Sequence, residues 1–203
     1  MRLMMNLAGA AAIALAAACS AEQEAEPAAE VAEASQEAVQ AEPVETGDPL
    51  PVTLDREGFA VMIADAGPVY IAGQPTEAAL EAMDAEGVST VINLRTADEM
   101  SNLETVSFDE AGKVSALGMD YVLIEQGPEE TLTPAALDAF AAAMADADGK
   151  VLVHCGSGVR ASHMWAAYLV REKGLSMEDA LAQAEAMNLR SEAPVRSLLG
   201  IEN

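Results

Sequence analysis

Val151-Leu152-Val153-His154-Cys155-Gly156-Ser157-Gly158-Val159-Arg160-Ala161 joins an apolar run to a glycine-rich turn and then to a helical stretch. The run from Lys150 to Val153 reads as a buried strand, and the helix is expected over 161–172, ahead of Gly174. Two glycines let the intervening turn point its backbone N–H groups inward, and the helix aims the positive end of its dipole at the same spot. Arg160 adds a planar fork of donors suited to phosphate. Helix N-termini and nearby cations favour a thiolate over a thiol, so Cys155 reads as a nucleophile inside an anion cradle formed by Gly156, Ser157, Gly158, Val159 and Arg160.

Strands and helices alternate on the amino-terminal side of this stretch. Val69-Tyr70-Ile71 is a short strand, and Thr76 caps a helix over 77–85 that Gly87 stops. Ser89-Thr90-Val91-Ile92-Asn93-Leu94 is a β-branched, nearly continuous apolar run of the kind found in parallel strands covered on both faces. A helix is predicted over 108–117, a strand over 121–124, and a long helix from Thr133-Pro134 to about residue 145. A last helix follows Ser176 to about residue 187. The β-α repeat predicts a single α/β domain whose mostly parallel sheet is flanked by helices on both faces. Ligands of such sheets bind beyond the carboxyl ends of the strands, so the segment after Leu94 (Arg95 to Glu99) and the segment after Ile124 (Glu125 to Glu130) are expected to line the crevice that holds Cys155. Arg95 and Glu99 are expected to pair with each other.

The first 18 residues have a single positive charge, a short alanine-rich apolar run and small residues before Cys19, the pattern of a secretory signal too short for a membrane span. Cys19 reads as a lipid-attachment cysteine; ordinary cleavage after Ala18 is the alternative, because Ala16-Ala17-Ala18 also fits the small-x-small rule. Lipidation is preferred because it gives Cys19 a role. With Cys19 and Cys155 the only cysteines, a disulfide would tie the extreme N-terminus to the anion cradle and disable its thiol. Residues 19–50 are rich in Ala, Glu, Gln, Pro and Val, contain no Lys or Arg, and read as an acidic disordered tether to a folded domain at 51–203. The expected location is therefore periplasmic, with the membrane reached only through the lipid anchor.

The formal charge is −24, from 34 acidic and 10 basic side chains. That balance argues against nucleic acid and against an electrostatic hold on anionic lipid. No His, Cys and Asp residues are spaced as metal ligands, and no Walker or dinucleotide motif is present, so neither metal nor cofactor is expected. His163, Met164, Trp165 and Tyr168, at helical spacings after the turn, read as packing residues rather than as part of the site.

Four segments taken together resemble the cysteine-dependent protein tyrosine and dual-specificity phosphatases, in particular the beta-lactamase-hydrolase-like bacterial branch. They are Ile71-Ala72-Gly73-Gln74-Pro75-Thr76; Thr90-Val91-Ile92-Asn93-Leu94-Arg95 with Glu99; Tyr121 to Ile124; and Val153 to Arg160. The resemblance implies a phosphatase-like fold and a two-step phosphomonoester hydrolysis through phosphocysteine at Cys155, on a phosphorylated protein or small molecule. Arg160 and the amides of residues 156–160 would hold the phosphoryl oxygens, with His154, Ser162 and Arg95 in support. Four residues separate Cys155 from Arg160 where the common loop has five, a shortening shared with the small bacterial branch and with rhodaneses. Ala161 stands where a Ser or Thr usually follows the arginine, although Ser162 keeps the usual distance from the cysteine. The expected general-acid Asp is missing, which leaves Glu125, Glu129 or Glu130, with Glu129 preferred. A rhodanese-type sulfurtransferase and a non-catalytic anion-binding module are the alternatives, and the sequence leaves oligomeric state open.

Overall fold

The computed structural model describes residues 50–127 and 131–201. The expected signal peptide, Cys19, the tether up to residue 49, and the acid candidates Glu129 and Glu130 lie outside the described residues.

Six strands form one sheet in the order β1-β2-β3-β6-β4-β5. Its parallel part consists of β3 (Val69–Ala72), β6 (Lys150–His154), β4 (Val88–Asn93) and β5 (Asp120–Leu123). Two short strands, β1 (Val52–Thr53) and β2 (Ile63–Asp65), add to the β3 side in antiparallel pairing. The sheet is thus mostly parallel, as the β-α repeat requires, with an antiparallel edge too short to show a period-two pattern in the sequence.

Side-chain alternation along the strands builds two apolar layers. Val69, Ile71, Val151 and Val153 face a core shared with α4 (Pro134–Asp146), α5 (Val159–Lys173), α6 (Met177–Glu185) and α7 (Ala193–Leu199). Tyr70, Ala72, Val91 and Leu152 face the opposite core, closed by α1 (Glu77–Ala85) and α3 (Glu110–Ala116). Each buried Val, Leu or Phe side chain contributes about 1.5–3 kcal/mol of transfer free energy, so burial on both faces is what holds β6 in the middle of the sheet. Local signals set the helix starts: Thr76, Asp109, Thr133 and Ser176 each accept a hydrogen bond from a first-turn amide. Between β4 and α3 lies a four-residue helix, α2 (Ala97–Met100), opened by a capping box of Thr96 and Glu99.

The structure moves one predicted boundary that matters. The helix expected from residue 161 begins at Val159, so Val159 and Arg160 form its first turn. Its N-cap, Gly158, has φ +88° and brings no side-chain cap, unlike α1, α3, α4 and α6. The left-handed backbone there suits glycine, and a Cβ would stand 2.6 Å from Met62 Sδ. Helix α7, opened by Pro194 and closed by Gly200, was not anticipated.

Because β3, β6, β4 and β5 run parallel, their carboxyl ends share one edge. That edge gathers the loops carrying Gly73 and Gln74, Cys155 to Gly158, Arg95, and Glu125 and Gln126. Gly73 bridges Ser157 in antiparallel fashion, and Cys155 N–H donates to Ala72 O at 3.3 Å. A Cβ on Gly73 would lie 1.7 Å from Ala60 O and 3.3 Å from Gly156 O. Gly73→Ala is therefore expected to lower stability by about 2–3 kcal/mol, because backbone must move on both sides. Thermal unfolding should show the melting temperature falling by roughly 5–10 °C.

Candidate active site

Cys155 leaves the end of β6 with 1% of its surface exposed, inside the larger core cluster. Its Sγ accepts the Gly158 N–H at 3.2 Å, so the turn folds back over the sulfur. The loop is fastened at several points. Gln74 N–H donates to Gly156 O at 3.4 Å, and Asn188 Nδ2 donates to Ser157 O at 2.9 Å. Ser162 does not turn to the thiol: its hydroxyl lies 2.9 Å from Gly158 O and also reaches Met187 O. Its support is for the shape of the loop rather than for the sulfur.

Arg160 is held from the side. Nη2 and Nη1 donate to Glu99 Oε1 and Oε2 at 2.7 and 2.8 Å, and Nη1 also donates to Gln126 O. Three of the five guanidinium N–H groups are thereby engaged, leaving two for an anion. Burial acts against the charge of Arg160, but its hydrogen bonds to Glu99 and its electrostatic interactions with Cys155 and Glu99 outweigh it, and its pKa is raised. The reciprocal effect is clear at Glu99, where the Arg160 hydrogen bonds bring the carboxyl pKa down to about 2 against a smaller opposing effect of burial.

The expected Arg95–Glu99 pair is present but secondary, with Nε 3.6 Å from Oε1. Arg95 is buried and donates through Nη1 to Gln74 Oε1 at 2.6 Å. Gln74 in turn donates through Nε2 to Glu110, which also accepts from Asn93 Nδ2 at 3.1 Å and lies 3.0 Å from His154 Nε2. A continuous polar chain thus runs from Arg160 through Glu99, Arg95, Gln74 and Glu110 to His154, beside the nucleophile. Burial raises the Glu110 pKa, but the interaction with His154 and hydrogen bonds involving His154, Gln74 and Tyr121 reverse this, and the net shift is downward. Tyr121, which accepts from Asn93 Nδ2 at 2.8 Å, is pushed up to about 12, chiefly by burial.

Of the three acid candidates, Glu125 is described, and its Oε1 accepts the Ala97 N–H at 2.7 Å, fastening α2. Gln126, buried at the end of β5, serves the site through its backbone oxygen. His163 is buried in α5, and desolvation lowers its pKa to about 4. Trp165 and Tyr168 stack at 5.5 Å within the core, as packing residues should.

Sequence reading missed Glu110, Asn93, Gln126 and Asn188 as site residues. Gln74 and Asn93 lie within the segments that carry the family resemblance. A readable signal existed for three of the buried polar residues: Gln74, Asn93 and His154 each interrupt or closely follow an apolar strand at its carboxyl end.

A cavity of about 590 Å³ is lined by Phe59, Gln74, Pro75, Thr105 and Phe108 among others, and by no residue from Cys155 to Arg160.

Comparison with known proteins agrees with the fold. A beta-lactamase hydrolase-like protein of Agrobacterium fabrum is 39% identical over 92 residues, 45% of this chain and 21% of that protein. The matched region therefore spans about a fifth of the curated relative's length. Among solved structures, the DUF442 protein of Shewanella putrefaciens has a TM-score of 0.54 at 27% identity, covering 70% of this chain and 91% of that one. TpbA of P. aeruginosa, solved in complex with phosphotyrosine, has a TM-score of 0.52 at 15% identity, covering 75% and 87%. Kinase associated phosphatase shares the fold with a TM-score of 0.53 at 12% identity, covering 66% and 89%. Residues 66–170, just over half of the chain, match the phosphatase-like domain of beta-lactamase hydrolase-like protein, and the chain belongs to that family.

Proposed function

We propose that this chain hydrolyses phosphomonoesters through a phosphocysteine at Cys155. The carrying observation is the cradle itself: a sulfur folded under the uncapped start of α5, with Arg160 fixed by Glu99 so that two N–H groups are left for a phosphoryl oxygen. In the first step the thiolate sulfur attacks phosphorus, the S–P bond forms, and the P–O bond to the leaving group breaks. The leaving oxygen takes a proton, for which Glu129 is the preferred donor and Glu130 the neighbouring one. In the second step water attacks phosphorus and gives a proton to the carboxylate that donated one, the S–P bond breaks, and phosphate leaves with the thiolate and the acid restored. The first-turn amides of α5 and the Arg160 fork are aimed at the oxygens that carry charge in both transition states, usually the largest catalytic contribution.

The substrate is a phosphorylated protein or a small phosphoester. TpbA with phosphotyrosine supports a phosphorylated ligand in this fold. The N-terminal sequence extends the proposal to export, with Cys19 as the lipid-bearing residue and the periplasm as the place of action. The test is mass spectrometry of Cys155 after brief mixing with p-nitrophenyl phosphate and acid quench, in parallel with thiosulfate. A phosphoryl adduct on Cys155 is expected. A persulfide from thiosulfate without any phosphoryl adduct would overturn the assignment in favour of sulfur transfer, and neither adduct would leave an anion-binding module.

A further inference from the structure

Glu110 is a buried carboxylate for which the phosphoryl chemistry above gives no role. Its residue is 2% exposed, on the first turn of α3, in a chain whose acidic side chains mostly face solvent. Donors reach it from the ends of three different parallel strands: Gln74 just beyond β3, Asn93 at the end of β4 and His154 at the end of β6. An ionised carboxylate only accepts, so it can receive all three at once. A glutamine of the same shape would turn an NH2 group against at least one of these donors, and a buried mismatch of that kind costs about 1–3 kcal/mol.

His154 depends most on this arrangement. Its Nε2 contacts Glu110 at 3.0 Å, while Nδ1 is buried without a partner. The carboxylate is therefore the hydrogen-bond partner that fixes which ring nitrogen carries the proton and how the ring is turned. The peptide that follows is equally constrained. His154 O accepts from Leu94 N at 2.9 Å, and Cys155 N–H donates to Ala72 O at 3.3 Å. With both flanking strands holding the backbone, a ring that rotates in its fully buried slot displaces the root of the Cys155 side chain rather than being absorbed by a loose loop.

We propose that Glu110 is a positioning residue for the nucleophile: it holds the proton on Nε2 of His154, and through that ring it fixes the direction in which the Cys155 sulfur enters the cradle. The proposal rests on Cys155 being the nucleophile. It assigns Glu110 no contact with substrate; Arg160 and the α5 amides keep that role.

The test uses 15N-histidine protein and two-bond 1H–15N spectra of the imidazoles. The chain contains two histidines, so His163→Gln assigns both signals. Wild-type His154 is expected to show the Nε2–H tautomer, and Glu110→Gln to show a changed tautomer pattern. In the same variant kcat for p-nitrophenyl phosphate should fall about 100-fold, the scale of a sub-ångström to one-ångström misplacement of a reacting group. KM should stay within about 2-fold, because Glu110 makes no direct contact with Arg160 or the α5 amides. Glu110→Asp, which keeps an acceptor-only group, should keep the tautomer and recover part of kcat. A wild-type proton on Nδ1 overturns the proposal whatever the variants do. So does a folded Glu110→Gln protein that keeps the wild-type tautomer and kcat. Should no phosphoester be turned over, the rate of Cys155 alkylation by iodoacetamide reads the same geometry: a wild-type rate in Glu110→Gln overturns the positioning role, and an altered rate upholds it even though the hydrolase reading has failed. Should Glu110→Gln not fold, the wild-type tautomer together with the tautomer and alkylation rate of Glu110→Asp decides.

Discussion

Cys155→Ser is expected to lower kcat for p-nitrophenyl phosphate by at least about 10⁴-fold, the scale of removing a nucleophile from a site whose other parts remain. The hydroxyl is a far weaker acid than the thiol, and among the described residues neither neighbouring polar side chain is placed to take its proton: Ser162 is turned to the carbonyl oxygens of Gly158 and Met187, and the imidazole of His154 faces Glu110. The fold should tolerate the change. The serine oxygen can accept the Gly158 N–H that the sulfur accepts, so the cost of a buried hydroxyl is offset and stability should change by no more than about 1 kcal/mol. Tungstate binding, measured by calorimetry, should persist, because Arg160 and the α5 amides remain. Substantial turnover by the serine variant would remove Cys155 from the mechanism, and loss of tungstate binding with an intact fold would mean that the anion site depends on the sulfur itself.

The sheet and the nucleophile loop were legible because their signals are local. Val151 to Val153 is apolar without a break, Gly156 and Gly158 follow at fixed spacing, and Thr76, Thr133 and Ser176 stand at helix starts. The antiparallel edge was not legible: β1 and β2 have two and three residues, below the length at which alternation identifies a strand. Helix α2 was not expected, although Thr96 and Glu99, three apart, have the spacing of a capping box; Arg95, one turn from Glu99, was its expected partner. The bidentate partner is Arg160, 61 residues further on, brought close only because β4 and β6 are neighbours. Glu110 was hidden for the same reason. Three of its partners lie 36, 17 and 44 residues away, and an acidic residue at a helix start in so acidic a chain reads locally as a solvated dipole partner. What could have exposed it is the need for an acceptor: three polar residues at the ends of strands predicted to be parallel converge on one edge, and two of them, Asn93 and His154, sit in registered positions of adjacent strands.

Arg160→Lys is expected to lower kcat/KM for the same substrate by about 10³-fold, roughly 4 kcal/mol of transition-state stabilisation, without unfolding the protein. The two residues carry the same charge, so geometry accounts for the difference. Glu99 accepts from both terminal nitrogens of Arg160, and Gln126 O accepts from one of them. This grip orients the guanidinium plane and still leaves two N–H groups. A lysine has three N–H groups on one nitrogen; meeting Glu99 and Gln126 O engages them, and a phosphoryl oxygen then competes with Glu99 for a single point charge. In the wild type the Arg160 hydrogen bonds bring the Glu99 carboxyl down to about 2, so the group that competes with the phosphoryl oxygen is an anion. Both KM and kcat should therefore suffer in Arg160→Lys. Glu99→Gln separates the two functions of the grip, since it leaves every donor of Arg160 in place but loosens the fork; its kcat/KM should fall less than that of Arg160→Lys, and its inhibition by tungstate should weaken in parallel. Equal activity in wild type and Arg160→Lys would mean that charge alone suffices at this position and that the ordered fork contributes nothing to the transition state.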